Sequence, residues 1–153
     1  GTYDRRRSFY RTLSPSMDIL ISSNLERLLY LVSGDCELVA SLMQQLKTDG
    51  FYTVPAELLE KIQSRFWAGC CGDEATEKTI REVWERHSYL CDTHTAVAWN
   101  VAQQYKAANP AHAPVVVLST ASPCKFPACV LTAFLVLFLI TDLTLGSVGW
   151  VRY

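Results

Sequence analysis

Apolar residues in the first part of the chain recur every three or four positions, which is the spacing of a helix that buries one face. We predict that a first helix begins at a capping box formed by Ser23 and Glu26 and stops at Gly34. Its predicted inward-facing positions are Leu25, Leu28, Leu29 and Val32.

Four more helices are predicted from the same kind of pattern. Asp35 and Asp73 can accept hydrogen bonds from free backbone N–H groups and are expected to cap two of them, and Pro55 suits the first turn of another. The predicted spans are Asp35 to Gly50, Pro55 to Phe66, Asp73 through Trp84, and about Thr93 to Ala108. We therefore expect this chain to be mostly helical.

Residues 115–118, Val-Val-Val-Leu, predict a short buried strand after the fifth helix. A short apolar strand between two helices is half of a βαβ unit, so we predict an α/β fold with one clear strand of the parallel type. One strand cannot form a sheet. We expect its neighbours to be encoded upstream, in keeping with a chain that begins without Met.

The predicted strand runs directly into a turn that is rich in hydroxyl groups. Ser119, Thr120 and Ser122 stand here, and Lys125 adds a positive charge. Ligands of open α/β sheets bind at the carboxyl ends of the strands, so this turn could bind a phosphate or present a hydroxyl to a heterocyclic nitrogen. The alternative is a plain turn with a Ser cap.

The charge of the chain argues against nucleic acid and against an anionic membrane surface as partners. Charged residues make up 19% of the 153 residues and the formal net charge is −1. This length suits one domain. No signal-peptide pattern is present at the start, so the expected location is the cytoplasm.

Six cysteines are interpreted as reduced thiols, with disulfides and a metal site as alternatives. A zinc site needs four ligands at suitable spacing. Cys91 and His94 form one possible pair, and the adjacent Cys70 and Cys71 do not supply a second pair at the usual interval. We therefore predict no metal ligands.

Four blocks along the chain resemble the carboxyl-terminal half of bacterial threonine synthase. They are RTLSPSMDILISSNLERLL, FWAGCCGDEAT, DTHTAVAWNVAQQY and VVVLSTASPCKFP, and they occur in the family's order and with natural spacing. The resemblance covers about Gly1 to Ala133. It implies part of a fold-type-II pyridoxal-phosphate enzyme, with the architecture of the tryptophan synthase β subunit.

The resemblance also implies an activity and a set of site residues. The family is a group of lyases that convert O-phospho-L-homoserine and water to L-threonine and phosphate with pyridoxal phosphate as cofactor. By similarity, Thr120 would lie against the pyridine nitrogen, with Ser119 as its neighbour. Lys125, Ser16 and Asp18 are candidates for substrate binding.

Two features of the family are not found in this sequence. The lysine that holds the cofactor as a Schiff base and the Gly/Asn-rich phosphate loop belong to the family's amino-terminal half. We therefore assign no catalytic residue to this chain and expect it to be inactive alone. His94 also matches a family position, either as a hydrogen-bonded residue that organises a turn or as a substrate contact.

Residues 134–153 form a divergent tail that is almost entirely apolar. Three interpretations are open: a shifted-frame or foreign sequence, a packed terminal element, or membrane insertion, the last being disfavoured by Asp142, Gly146 and Gly149. The alternative function is a non-catalytic helical module with a hydrophobic tail that binds a partner or a membrane. The sequence does not indicate an oligomeric state.

Overall fold

The computed structural model describes residues 1–111 and 113–144, and their side chains up to residue 135. Helices dominate these residues, as predicted. The elements are β1 (Thr2–Asp4), α1 (Ser23–Ser33), α2 (Cys36–Thr48), β2 (Phe51–Thr53), α3 (Ala56–Gln63), α4 (Asp73–His87), α5 (Thr93–Ala108) and α6 (Pro127–Thr144). Two single-turn 3₁₀ helices occupy Pro15–Met17 and Pro123–Lys125.

The first of two compact units comprises Gly1–Arg11 and Ser16–Ala68. In it, β1 and β2 pair antiparallel, with Tyr3 opposite Tyr52. The two rings stack with their centroids 5.5 Å apart. The buried core is apolar and consists of Leu29, Leu42, Leu46, Tyr52, Val54 and Leu58.

The limits of the helices in this unit agree in part with those predicted from the sequence. Asp35 caps α2 by accepting a hydrogen bond from the Leu38 backbone N–H (2.9 Å), and Gly34 ends α1 with a φ of 68°. The predicted capping box is wrong: Ser22 is the cap position of α1, and its side chain makes no capping hydrogen bond. Helix α3 ends at Gln63, three residues before the predicted end at Phe66.

The second unit comprises Thr12–Pro15 and the described part of Gly69–Tyr153. Here α4 packs against both α5 and α6. The apolar core consists of Ile80, Val83, Cys91, Ala96, Val130 and Ala133. Helix α5 occupies the predicted span, and α4 begins at Asp73, with Gly72 in the cap position.

The strand predicted at residues 115–118 does not form, which corrects that part of the fold prediction. These residues have no regular secondary structure, and their backbone makes no hydrogen bond to another described residue. A strand needs a neighbouring strand to pair with, and the pattern of side chains alone does not supply one. The two strands of the described region pair β1 with β2 instead.

Helix α6 continues through the predicted start of the tail at residue 134 and reaches Thr144. Residues 145–153 of the predicted tail lie outside the described residues. Among the described residues, no helix meets the length and apolarity that a membrane span requires. The division into residues 1–133 and 134–153 stays a prediction.

Candidate functional site

The candidate site is the loop of residues 119–126, Ser-Thr-Ala-Ser-Pro-Cys-Lys-Phe, which connects the extended segment 115–118 to α6. Its first residue is held by two hydroxyl groups of the same unit. The Ser119 Oγ lies 2.8 Å from the Tyr89 hydroxyl and 3.3 Å from Thr95 Oγ1. The start of the loop is therefore tied to the first turn of α5.

Side chains alternate along the extended segment that leads into the loop. Val115 and Val117 are partly buried, whereas Val116 and Leu118 are 82% and 72% exposed. The alternation is that of extended backbone. Thr120 is exposed, and its hydroxyl makes no hydrogen bond to another described residue. Thr120 is thus a hydroxyl of this loop whose donor and acceptor sites both make no hydrogen bond with another described residue.

The second half of the loop is a 3₁₀ turn. The Ser122 Oγ accepts a hydrogen bond from the Cys124 backbone N–H (3.3 Å), and Pro123 occupies the first position of the turn. The Lys125 backbone N–H donates to the Ser122 carbonyl at 3.0 Å. Lys125 itself is exposed, so its charge is available to an anion.

A buried polar cluster lies at the start of α5, and we call Asp92, His94 and Thr95 the Asp92 cluster. The Asp92 Oδ1 accepts from the His94 backbone N–H (2.9 Å) and lies 3.0 Å from His94 Nδ1. The Thr95 hydroxyl donates to Asp92 Oδ2. Because a carboxylate only accepts hydrogen bonds, Nδ1 of His94 carries the ring hydrogen in this pair.

The environment of the Asp92 cluster favours a charged carboxylate. Burial raises the pKa of Asp92, but hydrogen bonds from the Thr95 hydroxyl, the His94 N–H and the His94 ring outweigh it, so the pKa lies below its usual value. The neighbouring Cys91 thiol stays neutral, since burial and the Asp92 charge raise its pKa to about 11. Cys91 is therefore a core residue, and its pKa is unsuited to a nucleophile.

A cavity of about 190 Å³ lies beside the start of the loop. Its lining is largely apolar, with hydroxyl groups at one side. The lining residues are Val83, Tyr89, Cys91, Thr95, Trp99, Val117 and Ser119. Ser119 therefore contributes to the wall of this cavity, whereas the next residue, Thr120, does not.

Ser16 and Asp18, the other predicted site residues, belong to the first unit. Ser16 lies in the 3₁₀ turn Pro15–Met17 and is exposed, and Asp18 follows it half-buried. Of the predicted residues, the structure thus brings Ser119, Thr120 and Lys125 together in one loop. Their part in binding stays a prediction.

All six cysteines are free thiols, and Cys91 is the buried one. Among the described residues, no group of three or more His, Cys, Asp or Glu side chains is arranged to hold a metal ion.

Asp92, Thr95 and Tyr89 belong to the surroundings of the site, and reasoning from the sequence missed them. A signal was present: Asp-Thr-His-Thr puts three hydrogen-bonding side chains behind an Asp at a predicted helix start. The contact between Thr95 and Ser119 spans 24 positions, and no local pattern indicates it.

The loop and the Asp92 cluster lie in or beside the part of the chain that is most recognisable by comparison. Residues 95–136 match the family model described as "Threonine synthase, C-terminal". The chain is 38% identical over 142 residues to threonine synthase of Saccharomyces cerevisiae, covering 82% of this chain and 27% of that protein. It is 38% identical over 135 residues to threonine synthase-like 1 of Macaca fascicularis, covering 87% and 18%.

A solved structure agrees with these sequence matches. The crystal structure of pyridoxal-phosphate-bound threonine synthase from Brucella melitensis superposes with a TM-score of 0.80 at 43% identity, over 87% of this chain and 28% of that one. The chain therefore has the fold of one part of a fold-type-II pyridoxal-phosphate enzyme. The chain is thus similar to the carboxyl-terminal part of the threonine synthases. It spans about 18–28% of the relatives named here.

Proposed function

We propose that this chain supplies the carboxyl-terminal part of a threonine synthase site that converts O-phospho-L-homoserine and water to L-threonine and phosphate. In this proposal Thr120 contacts the pyridine nitrogen of pyridoxal phosphate, and the chain alone is inactive. The proposal is supported by the similarity to the carboxyl-terminal part of threonine synthases and to the pyridoxal-phosphate-bound structure from Brucella melitensis.

The observation that carries the proposal is the contrast between two neighbouring hydroxyls. Ser119 is engaged by Tyr89 and Thr95, whereas the Thr120 hydroxyl is exposed and makes no hydrogen bond within the described residues. A threonine hydroxyl can donate to a neutral ring nitrogen. Ser119 is then the anchor of the loop and Thr120 the residue that contacts the cofactor.

The residues of this chain fit one end of pyridoxal phosphate. Thr120 suits the ring nitrogen, but the phosphate needs closely spaced backbone N–H groups of the kind that glycine-rich loops provide. The seven glycines of the chain are scattered. We infer that another segment holds the phosphate and supplies the lysine that binds the cofactor. When bound, the cofactor supplies an electron sink for loss of the substrate's phosphate.

The remaining candidate residues are proposed to bind the substrate. Lys125 is exposed, and its ammonium group suits the phosphate of O-phospho-L-homoserine, because a charged donor makes a strong hydrogen bond to an anionic oxygen. Ser16 and Asp18 are proposed to have supporting roles. Of the three, Lys125 has the strongest argument, since it shares its loop with Thr120.

The proposal is tested by grafting. Residues 1–133 replace the matching segment of the Brucella melitensis enzyme, and phosphate release from O-phospho-L-homoserine is measured for the graft and for the 153-residue chain. We expect activity from the graft and none from the chain alone. The chain alone should also gain no stoichiometric adduct when it is mixed with pyridoxal phosphate and reduced with borohydride.

Two results would overturn the proposal. Activity or a stoichiometric lysine adduct in the chain alone would contradict its inactivity. A graft that folds but neither binds pyridoxal phosphate nor releases phosphate would contradict its part in the site, and would favour the alternative of a non-catalytic helical module.

A further inference from the structure

The loop of residues 119–126 is held at both ends by the Asp92 cluster. At its start, Ser119 Oγ lies 3.3 Å from Thr95 Oγ1. At its end, the Phe126 ring packs on the His94 ring, with the centroids 4.7 Å apart and the planes tilted by 53°. The exposed Thr120 and Lys125 lie between these two contacts.

The two residues that make these contacts, Thr95 and His94, are both hydrogen-bonded to the Asp92 carboxylate. Asp92 is fully buried, and His94 and Thr95 are each 4% exposed. The Thr95 hydroxyl donates to Asp92 Oδ2, and His94 Nδ1 lies 3.0 Å from Oδ1. The two side chains that touch the loop therefore have their orientations set by Asp92, because hydrogen bonds to a charged, buried acceptor are strong.

Capping of α5 alone does not account for this arrangement. Asp35 caps α2 with one accepted hydrogen bond, from the Leu38 backbone N–H, and it is exposed. Asp92 also accepts a backbone bond in the first turn, from His94, and it accepts hydrogen bonds from two side chains that reach the loop. The Thr95 hydroxyl thereby connects the helix start to a residue 24 positions away.

We propose that Asp92 is a positioning residue that acts through Thr95 and His94 to fix the loop on which Thr120 and Lys125 are presented. The inference deepens the proposed function, and it rests on that function only for what Thr120 contacts. The positioning itself is a property of the chain without any ligand.

The test measures backbone order in the 153-residue chain by NMR relaxation, at the amides of Thr120 and Lys125. In the unchanged chain we expect order parameters near 0.85, typical of rigid backbone, at both amides. Thr95→Val removes the hydroxyl with little change of shape, and it should lower the value at Thr120 to below about 0.6. Thr95→Ser, which keeps the hydroxyl, should restore it.

Two more variants test whether the order of the loop depends on Ser119 and on Asp92. Ser119→Ala removes the contacts with both Thr95 and Tyr89, so it should lower the value at Thr120 at least as much as Thr95→Val, and adding Thr95→Val to it should lower the value no further. Asp92→Asn should loosen the amides of both Thr120 and Lys125. The matched control is Thr132→Val in α6, whose hydroxyl donates to the Ala128 carbonyl in the same helix, and it should change neither amide.

The inference is overturned if Thr95→Val leaves the order of Thr120 unchanged, or if Thr132→Val lowers it equally. If Asp92→Asn does not fold, the Thr95 and Ser119 variants still decide the matter. No cofactor enters this measurement, so its failure leaves the proposed function standing, and failure of the graft leaves the positioning role standing.

Discussion

The two units of this chain have cores of different chemistry. The buried core of the first unit consists of leucine, valine and tyrosine side chains. Among the described residues, every buried serine, threonine, aspartate and histidine belongs to the second unit: Ser14, Thr76, Thr79, Asp92, Thr93, His94 and Thr95. Apolar packing is non-directional, whereas buried polar groups need specific partners. The second unit therefore carries the geometry on which a site can depend.

Asp35 and Asp92 show this difference between the units at the same kind of position, the N-cap of a helix. Both residues cap a helix, and both accept a backbone N–H at 2.9 Å. Asp35 is exposed, and Asp92 is fully buried. Loss of the first leaves donors that water can reach, and loss of the second leaves donors that it cannot.

The largest expected effect comes from replacing each of these caps with alanine. Asp92→Ala should lower the free energy of unfolding by about 3–5 kcal/mol, because it leaves a backbone N–H, a ring N–H and a hydroxyl buried without their acceptor, at about 1–3 kcal/mol for each such group. Asp35→Ala should cost about 1 kcal/mol, as for an exposed cap. Urea unfolding followed by circular dichroism measures both, and equal losses would refute the contrast.

The next largest loss in the free energy of unfolding is expected from a substitution in the apolar core. Leu42→Ala in the first unit should cost about 2–5 kcal/mol, because it removes buried methyl groups and leaves a cavity. Leu31→Ala is the matched control on α1, since Leu31 is 79% exposed, and it should stay within about 0.5 kcal/mol of the unchanged chain. Similar losses from the two variants in urea unfolding would mean that this core is not packed as described.

Thr95→Val should have a smaller effect on stability. It leaves Asp92 Oδ2 without its hydroxyl partner, which should cost about 1–3 kcal/mol. Thr95→Ser should recover most of that loss. If Val and Ser at this position unfold at the same urea concentration, the Thr95 hydroxyl does not stabilise the carboxylate.

Alkaline pH should lower the free energy of unfolding through one buried group in each unit. The two contributions should be similar to each other and smaller than the effects of the substitutions above. Burial raises the pKa of Tyr52 in the first unit to about 12, and burial raises the pKa of Cys91 in the second to about 11. Both groups lose their protons first in the unfolded chain, with ordinary pKa values of 10.0 and 9.0, so stability falls as the pH rises above those values.

For Cys91 the loss is about 1.4 kcal/mol at about pH 10, where the unfolded thiol is largely ionised and the folded one is not. Unfolding of the unchanged chain and of Cys91→Ala between about pH 8 and about pH 10 measures it, because these values lie roughly one unit either side of the ordinary pKa of a thiol. The variant should show a flatter pH dependence. An unchanged slope would mean that the thiol does not titrate as described.

Local signals explain which parts of the fold could be predicted from the sequence. Helix α5 has the predicted limits, because Asp92 caps its start and the Asn109-Pro110 pair follows its end. The end of α1 at Gly34 is predictable for a similar reason, since glycine readily adopts a positive φ.

Contacts between distant residues explain what could not be predicted. Pairing of β1 with β2 joins Thr2 to Thr53, and three-residue strands give little periodicity to detect. The strand expected at residues 115–118 depends on a partner strand. Thr120 and Lys125 could be proposed from the loop's composition and the family resemblance, but the role of Asp92 is visible only once Thr95 and Ser119 are seen in contact.

The role of Thr120 is tested by titrating the grafted enzyme with pyridoxal phosphate and comparing Thr120→Val and Thr120→Ser with the unchanged graft. We expect the Val variant to bind the cofactor about tenfold or more weakly, the equivalent of one lost hydrogen bond of about 1.4 kcal/mol, and the Ser variant to bind with unchanged affinity. Equal affinity in all three proteins would contradict the claim that Thr120 contacts the cofactor.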